Sequence, residues 1–250
     1  LLFFIPLLCY AQLSTIHYIP PLTTSDQGNA DPLDQYLYIS TPQENLVSFS
    51  IQPIGAPSNQ YISGQVSNAT PFQFTITNAG YSQLVVSPVT TSQVISNKGY
   101  IIESESPIYV SVRMNGGNGA QAGALVSKGD NALGTSFRVG TYDNGGNAQS
   151  NYLNFFSVMA TEDNTLLNLY NNKTNLVIQN FGNNQFPVEN IALNKGESYV
   201  VALKLTNTSG QVVQANRSGL IGTLIQSDKA VVVNTGSANG SFGDGGGRDF

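Results

Sequence analysis

The sequence of 250 residues contains one cysteine, Cys9, and one histidine, His17. A disulfide cannot form within the chain, and a zinc site built from ordinary cysteine and histidine ligands has too few of them. A catalytic triad requires a positioned histidine, whereas His17 follows an apolar leader closely and is predicted to be a surface residue. We therefore predict no catalytic residues and expect that the chain is not an enzyme.

Charged side chains are also scarce, at 10% of the residues, and the net charge is −5 with a pI near 4.7. Binding of nucleic acid requires a basic patch, and docking on anionic lipid requires clustered lysine and arginine. Neither nucleic acid nor a membrane is therefore an expected partner. Tryptophan is absent, and the aromatic residues are 12 tyrosines and 12 phenylalanines, which suit the faces of β-sheets.

A long hydrophobic run is missing as well. Residues 1–10 are apolar, but a membrane-spanning helix needs about 20 such residues. The run fits the core of a secretory signal, so residues 1–11 are predicted to be a signal-peptide remnant and 12–30 an N-terminal segment. A buried N-terminal strand is the alternative. Cleavage would remove Cys9, and export without disulfides favours a bacterial surface protein.

The sequence patterns at both ends predict that the chain is truncated there. The first basic residue is Lys98, although a signal peptide begins with positive charge, and residues 243–250 are glycine-rich loop chemistry. We therefore expect the chain to be a fragment that continues into the remainder of a longer protein.

Short β-strands with period-two alternation dominate the rest of the chain. Residues 72–77, 108–114 and 199–205 alternate apolar and polar side chains, and turn sequences rich in asparagine and glycine separate such runs. No stretch outside the leader has helical periodicity. The predicted fold is all-β, of the sandwich type.

An internal repeat divides this fold. Residues 99–112 align without a gap with residues 222–235, so that Ile102 matches Ile225 and Val110 matches Val233. Each segment is interpreted as a strand, a tight turn (at 104–107 in the first) and a second strand. The sequence thus predicts two related tandem β-sandwich-like units, at 31–120 and 121–250, with the second truncated at its C-terminus. Chance similarity between two generic strand pairs is the alternative.

Five phrases carry a family resemblance by their order and spacing. They are YLYISTP (36–42), LGTSFRV (133–139), FSVMATEDNT (156–165), LNKGESY (193–199) and GTLIQSDKAVVVNTG (222–236). Together they resemble the N-terminal domain of the IgGFc-binding protein family, in the version found in surface proteins of Bacteroidetes with type IX secretion sorting domains. The resemblance spans roughly residues 16–250 and implies an extracellular β-rich region. The family takes its name from binding of antibody Fc, and no residue here is assigned to that contact.

Two kinds of candidate site remain. Calcium binds oxygen ligands in flexible loops, which gives weak candidates that are also plain turn formers: Asp26, Asp31, Asp143, Asp163 and Asp244. Tyrosine supplies large amphipathic contact area, and the tyrosines expected to be exposed in loops are Tyr142, Tyr152 and Tyr170.

The leading hypothesis is an extracellular or cell-surface adhesion or interaction module that binds a protein or glycan through its loops. A structural spacer of a large surface protein is the alternative from a different class. A glycan-active enzyme ranks third, since Glu103 and Glu105 are the only paired carboxylates considered, and they are interpreted as solvated turn residues.

Overall fold

The computed structural model describes residues 12–25, 32–77, 81–116, 121–141, 143–146, 152–182 and 185–240. Within these ranges the regular elements are sixteen β-strands and short 3₁₀ turns, with no α-helix, so the all-β prediction is confirmed. No helix in the described ranges is long and apolar enough to cross a membrane.

The first sheet has seven strands in the order β5-β4-β9-β3-β6, and β1 and β10 also pair with β9. The pairings among its described strands are all antiparallel. Its strands are β1 (Ser14–Ile19), β3 (Pro32–Ser40), β4 (Val47–Pro53), β5 (Ile62–Val66), β6 (Phe72–Thr77), β9 (Tyr100–Gly116) and β10 (Gln121–Val126).

The second sheet also has seven strands, in the order β14-β13-β16-β12-β15-β8, with β11 paired to β16. Its strands are β8 (Val94–Ile95), β11 (Gly134–Arg138), β12 (Leu153–Ala160), β13 (Thr165–Tyr170), β14 (Val188–Leu193), β15 (Ser198–Lys204) and β16 (Leu224–Ala238). A short parallel pair, β2 (Leu22–Thr23) and β7 (Val85–Val86), completes the set.

The two sheets share five equivalent strand pairings. The pairs β1–β9, β3–β9, β4–β9, β4–β5 and β3–β6 recur as β11–β16, β12–β16, β13–β16, β13–β14 and β12–β15. The registers agree with the aligned segments, since Ile102 lies opposite Ile51 and its match Ile225 lies opposite Leu169. Residues 99–112 and 222–235 therefore occupy equivalent positions, which confirms two related tandem β units.

The predicted tight turn inside each aligned segment is wrong. Residues 100–116 form one strand of 17 residues, and residues 224–238 form one strand of 15. The long strand β9 pairs with β4 as far as Ser104 and with β3 from Tyr109 onward. Pro107 lies between these two ladders, where its missing N–H leaves no ladder hydrogen bond unmade. The strand thus changes neighbours where the sequence was interpreted as reversing direction.

Each sheet encloses a hydrophobic core, and the second sheet also packs against the first. All eight residues of β12 are buried, because one side of the strand faces its own core and the other faces the first unit. Phe155 and Leu153 contribute to the first core, while Met159 packs with Tyr18 and Ile101. This two-sided burial explains the nearly continuous apolar sequence of β12.

The residue limits of the two units, 31–120 and 121–250, stay a prediction. The strand β10, which begins at Gln121, pairs with β9 in the first sheet.

Candidate functional site

The outer surface of the second sheet carries a row of three side chains, one basic, one apolar and one aromatic, on three neighbouring strands. Arg138 on β11 lies opposite Leu224 on β16, and Leu224 lies opposite Tyr170 on β13. The intervening side chains Leu169 and Ile225 are fully buried, so strand alternation directs the row outward. We call this surface the Tyr170 face and define it by Arg138, Asn168, Tyr170, Leu224 and Gln226.

Hydrogen bonds hold the two ends of the row. The Arg138 guanidinium donates from Nη1 to the carbonyl oxygen of Gly222 at 2.9 Å. A hydrogen bond to the Glu189 side chain raises the pKa of the Tyr170 hydroxyl, with smaller contributions from desolvation and the charge of Glu189. The carboxylate accepts a hydrogen bond from the phenolic O–H and so favours the neutral tyrosine. The contact with Gly222 orients the Arg138 guanidinium before any partner arrives, which lowers the entropic cost of binding.

A cleft opens beside this row at Gly222. It is lined by Arg138, Tyr170, Asn172, Gly222 and Leu224, together with Asn171 and Pro187. A Cβ placed on Gly222 would meet no described atom within 4 Å. We call this cleft the Gly222 hollow; it offers space for a side chain from another molecule.

Of the three tyrosines predicted to be exposed, Tyr170 is half-buried. Tyr152 is fully buried just before β12, and the prediction of an exposed side chain there is wrong. Its neighbour Leu153 inserts into the first core, so the chain enters β12 already between the two units. Tyr142 lies outside the described residues.

The candidate calcium residues are not brought together. Asp26, Asp31 and Asp244 lie outside the described residues, and Asp143 is exposed. The Asp163 carboxylate accepts the backbone N–H of Lys195 at 3.0 Å, which ties two loops together. Among the described residues, no group of three or more His, Cys, Asp and Glu side chains could hold a metal ion. The calcium hypothesis stays a prediction for the loops that are not described.

His17 does not lie on the surface as predicted. It is fully buried in β1, opposite Ile102. Its Nδ1 lies 2.9 Å from the Ser127 hydroxyl, and its Nε2 lies 3.0 Å from the Ile108 carbonyl oxygen. Burial lowers the pKa of the imidazole, and the hydrogen bonds to the Ile108 and Ser14 carbonyl oxygens, together with the negative charge of Asp130, oppose this only in part. His17 is a buried structural residue that links β1, β9 and the segment after β10.

A second outer surface was not selected from the sequence. On the first sheet, Tyr36 lies opposite Arg113, and Tyr109 and Val126 are 37% and 38% exposed. The rings of Tyr36 and Tyr38 are 6.2 Å apart. We call this surface the Tyr109 face and define it by Tyr36, Tyr38, Tyr109, Arg113 and Val126. The alternation of YLYI was the available signal, because its Leu37 and Ile39 are fully buried while its tyrosines point outward.

Comparison with known proteins gives a family match that lies mainly in the second unit. A family described as IgGFc binding protein matches residues 122–249, just over half of the chain. The chain belongs to the IgGFc-binding protein family. The match confirms the family resemblance found in the sequence, and it covers the whole of the Tyr170 face and the Gly222 hollow. Neither the curated proteins nor the solved structures contain a match.

Proposed function

We propose that this member of the IgGFc-binding protein family is an extracellular or cell-surface interaction module that binds a protein through the Tyr170 face. The observation that carries the proposal is the row Arg138–Leu224–Tyr170, which lies on the outer surface of the family-matched region. The family's description names the Fc part of IgG as a ligand, which makes Fc the first candidate partner.

The composition of the face suits a protein partner. Tyrosine and arginine are enriched at the centres of protein interfaces, where single residues of these types contribute much of the binding free energy. Leu224 adds an apolar surface between them. Since these residues lie on paired strands rather than on loops, binding would order little additional backbone. This proposal places the contact on a sheet face, whereas the sequence predicted contacts through loops.

Binding to a glycan and a role as a spacer of a larger surface protein are the competing functions. Attachment to the surface of a gliding-type bacterium through the remainder of a longer chain is part of the proposal and rests on the sequence resemblance. No feature of the described residues favours catalysis over binding.

The test is biolayer interferometry with the immobilised chain and IgG Fc fragments. We expect saturable binding that Tyr170→Ala weakens at least about tenfold, as a central tyrosine does in other interfaces. Tyr61→Ala is the matched control, because Tyr61 lies in the first unit and is 38% exposed. It should leave the affinity unchanged.

The same chain is then applied to arrays of extracellular proteins and of glycans. Binding to a protein other than Fc that depends on Tyr170 would retain the interaction function and replace the ligand. Binding to glycans alone would contradict the protein-binding proposal. A flat response on every surface would favour the spacer.

A further inference from the structure

The interface between the two units joins β1 and β9 of the first unit to β12 and β16 of the second. On the first unit it presents Tyr18 and Ile101, and on the second it presents Met159 and Val232, all of which are buried together. A Cβ placed on Gly99 would lie 2.6 Å from Met159 Cε, so the methionine methyl group fills the space over this glycine. The contact is therefore a side chain of the second unit seated in a hollow of the first.

The second unit has a glycine at the equivalent position, and no described residue lies over it. The repeat places Gly222 at the position of Gly99, and Leu224 at the position of Ile101. Both glycines have a positive φ, +95° and +83°. Within the described ranges, however, a Cβ on Gly222 would meet nothing within 4 Å. The Gly222 hollow is the unfilled equivalent of the hollow that receives Met159.

The first unit correspondingly presents the opposite half of the interface. Met159 lies opposite Val232, and the equivalent pair in the first unit is Ser40 opposite Tyr109. Tyr36 likewise corresponds to Phe155, because their partners Arg113 and Gly236 are equivalent. The Tyr109 face is thus the exposed counterpart of the surface by which the second unit docks onto the first.

We propose that the chain docks head to tail with a second copy of itself, the Tyr109 face of one copy packing into the Gly222 hollow of the next. The arrangement repeats an interface that the chain already contains once. Because the two faces are different surfaces, the contact is heterologous and can extend beyond a dimer.

The residues at the two free faces favour a reversible contact. The internal interface joins Tyr18 and Ile101 to Met159 and Val232, whereas the free faces offer Arg138 and Leu224 to Ser40 and Tyr109. Arginine beside a tyrosine ring is a favourable pairing, but the loss of the methionine removes apolar burial. We therefore expect weak self-association, which requires much higher protein concentrations than the formation of a permanent oligomer.

Sedimentation velocity of the intact chain, from about 10 µM to about 1 mM, tests the docking over the range in which weak contacts form. The wild-type chain should sediment faster as its concentration rises. Leu224→Glu blocks one face, and Tyr109→Glu blocks the other. Each variant alone should remain monomeric. An equimolar mixture should give dimers and nothing larger, because one productive pair of faces survives in it.

Circular dichroism with thermal unfolding establishes that both variants are folded before they are mixed. A wild-type chain that is monomeric throughout the concentration range would overturn the proposal. So would a mixture of folded variants that does not associate, or dimers that persist in each variant alone. Fc binding without self-association would leave the proposed function intact and remove only this inference.

Discussion

Ser104 and Ser227 make the same hydrogen bond at the same point of the two units. The Ser104 hydroxyl donates to the carbonyl oxygen of Ser106 at 2.8 Å, and the Ser227 hydroxyl donates to that of Lys229 at 2.6 Å. A threonine directly after the neighbouring strand accompanies each bond, since Thr41 donates to the carbonyl oxygen of Pro107 and Thr161 donates to that of Ala230. Both long strands therefore have their carbonyl groups satisfied by side chains where the ladder partner changes.

The serine hydroxyl should contribute equally to stability in the two units. We expect Ser104→Ala and Ser227→Ala each to lower the free energy of unfolding by about 1 kcal/mol, the usual contribution of such a hydrogen bond. Urea unfolding followed by circular dichroism measures the difference. Ser63→Ala, at an exposed position on β5, is the control and should change stability by less than about 0.5 kcal/mol. A large loss in one unit only would contradict the equivalence.

Gly99 and Gly222 form a matched pair that separates backbone strain from packing. Their φ angles of +95° and +83° make any L-residue unfavourable at both positions. Gly222→Ala should therefore cost about 1 to 2 kcal/mol. Gly99→Ala should cost about 1 to 3 kcal/mol more, because its Cβ would also lie 2.6 Å from the Ile19 carbonyl oxygen and from Met159 Cε.

Chemical unfolding of the two glycine variants gives this difference directly. Equal losses would mean that the space over Gly99 is not filled as the structure describes, and the docking proposed for Gly222 would lose its template.

The fold followed from the sequence wherever local pattern and packing agree. Alternation identified β6 at 72–77, and the aligned segments identified β9 and β16 as equivalent. The continuity of β9 could not be predicted, because Ser104 and Pro107 are turn residues by propensity and only pairing with a second set of neighbours keeps them extended.

The candidate site was predicted less well, because exposure depends on tertiary packing. Tyr152 and Tyr170 have similar loop-like sequence neighbourhoods, yet Tyr152 is fully buried whereas Tyr170 is only half-buried. Likewise, nothing local distinguishes a surface His17 from one buried against Ser127, which lies far away in the sequence. The Tyr109 face required the register of β3 against β9 before its tyrosines could be placed together.

The contact of Met159 with the first unit should couple the unfolding of both units. Met159→Ala removes a fully buried side chain and should lower the free energy of unfolding by about 2 to 5 kcal/mol. Ser40→Ala, at the equivalent position of the first unit, should change it by less than about 0.5 kcal/mol. Differential scanning calorimetry should show one transition for the wild-type chain. Two well-separated transitions would show that the interface does not couple the units.

His17 should make the stability of the chain depend on pH below about 6.5. Burial lowers the pKa of the folded imidazole, whereas the unfolded residue titrates near its ordinary value of about 6.5. Above that pH both states are neutral and the folded state has its full stability. As the pH falls, the unfolded state binds a proton first, so stability is lost until the pH passes the folded pKa.

The chain has no other histidine, and the ordinary pKa of a carboxyl group, about 4, lies below the window between about pH 6.5 and 5, so a change of slope in that window tests His17. Urea unfolding at half-unit intervals should give a slope of up to about 1.4 kcal/mol per pH unit, the value for one proton. His17→Gln should be less stable at pH 7.5, because it cannot reproduce the contacts with Ser127 and Ile108, but its slope in this window should be flat. An equal slope in both proteins would assign the pH dependence to other groups, and it would mean that burial does not lower the pKa of His17.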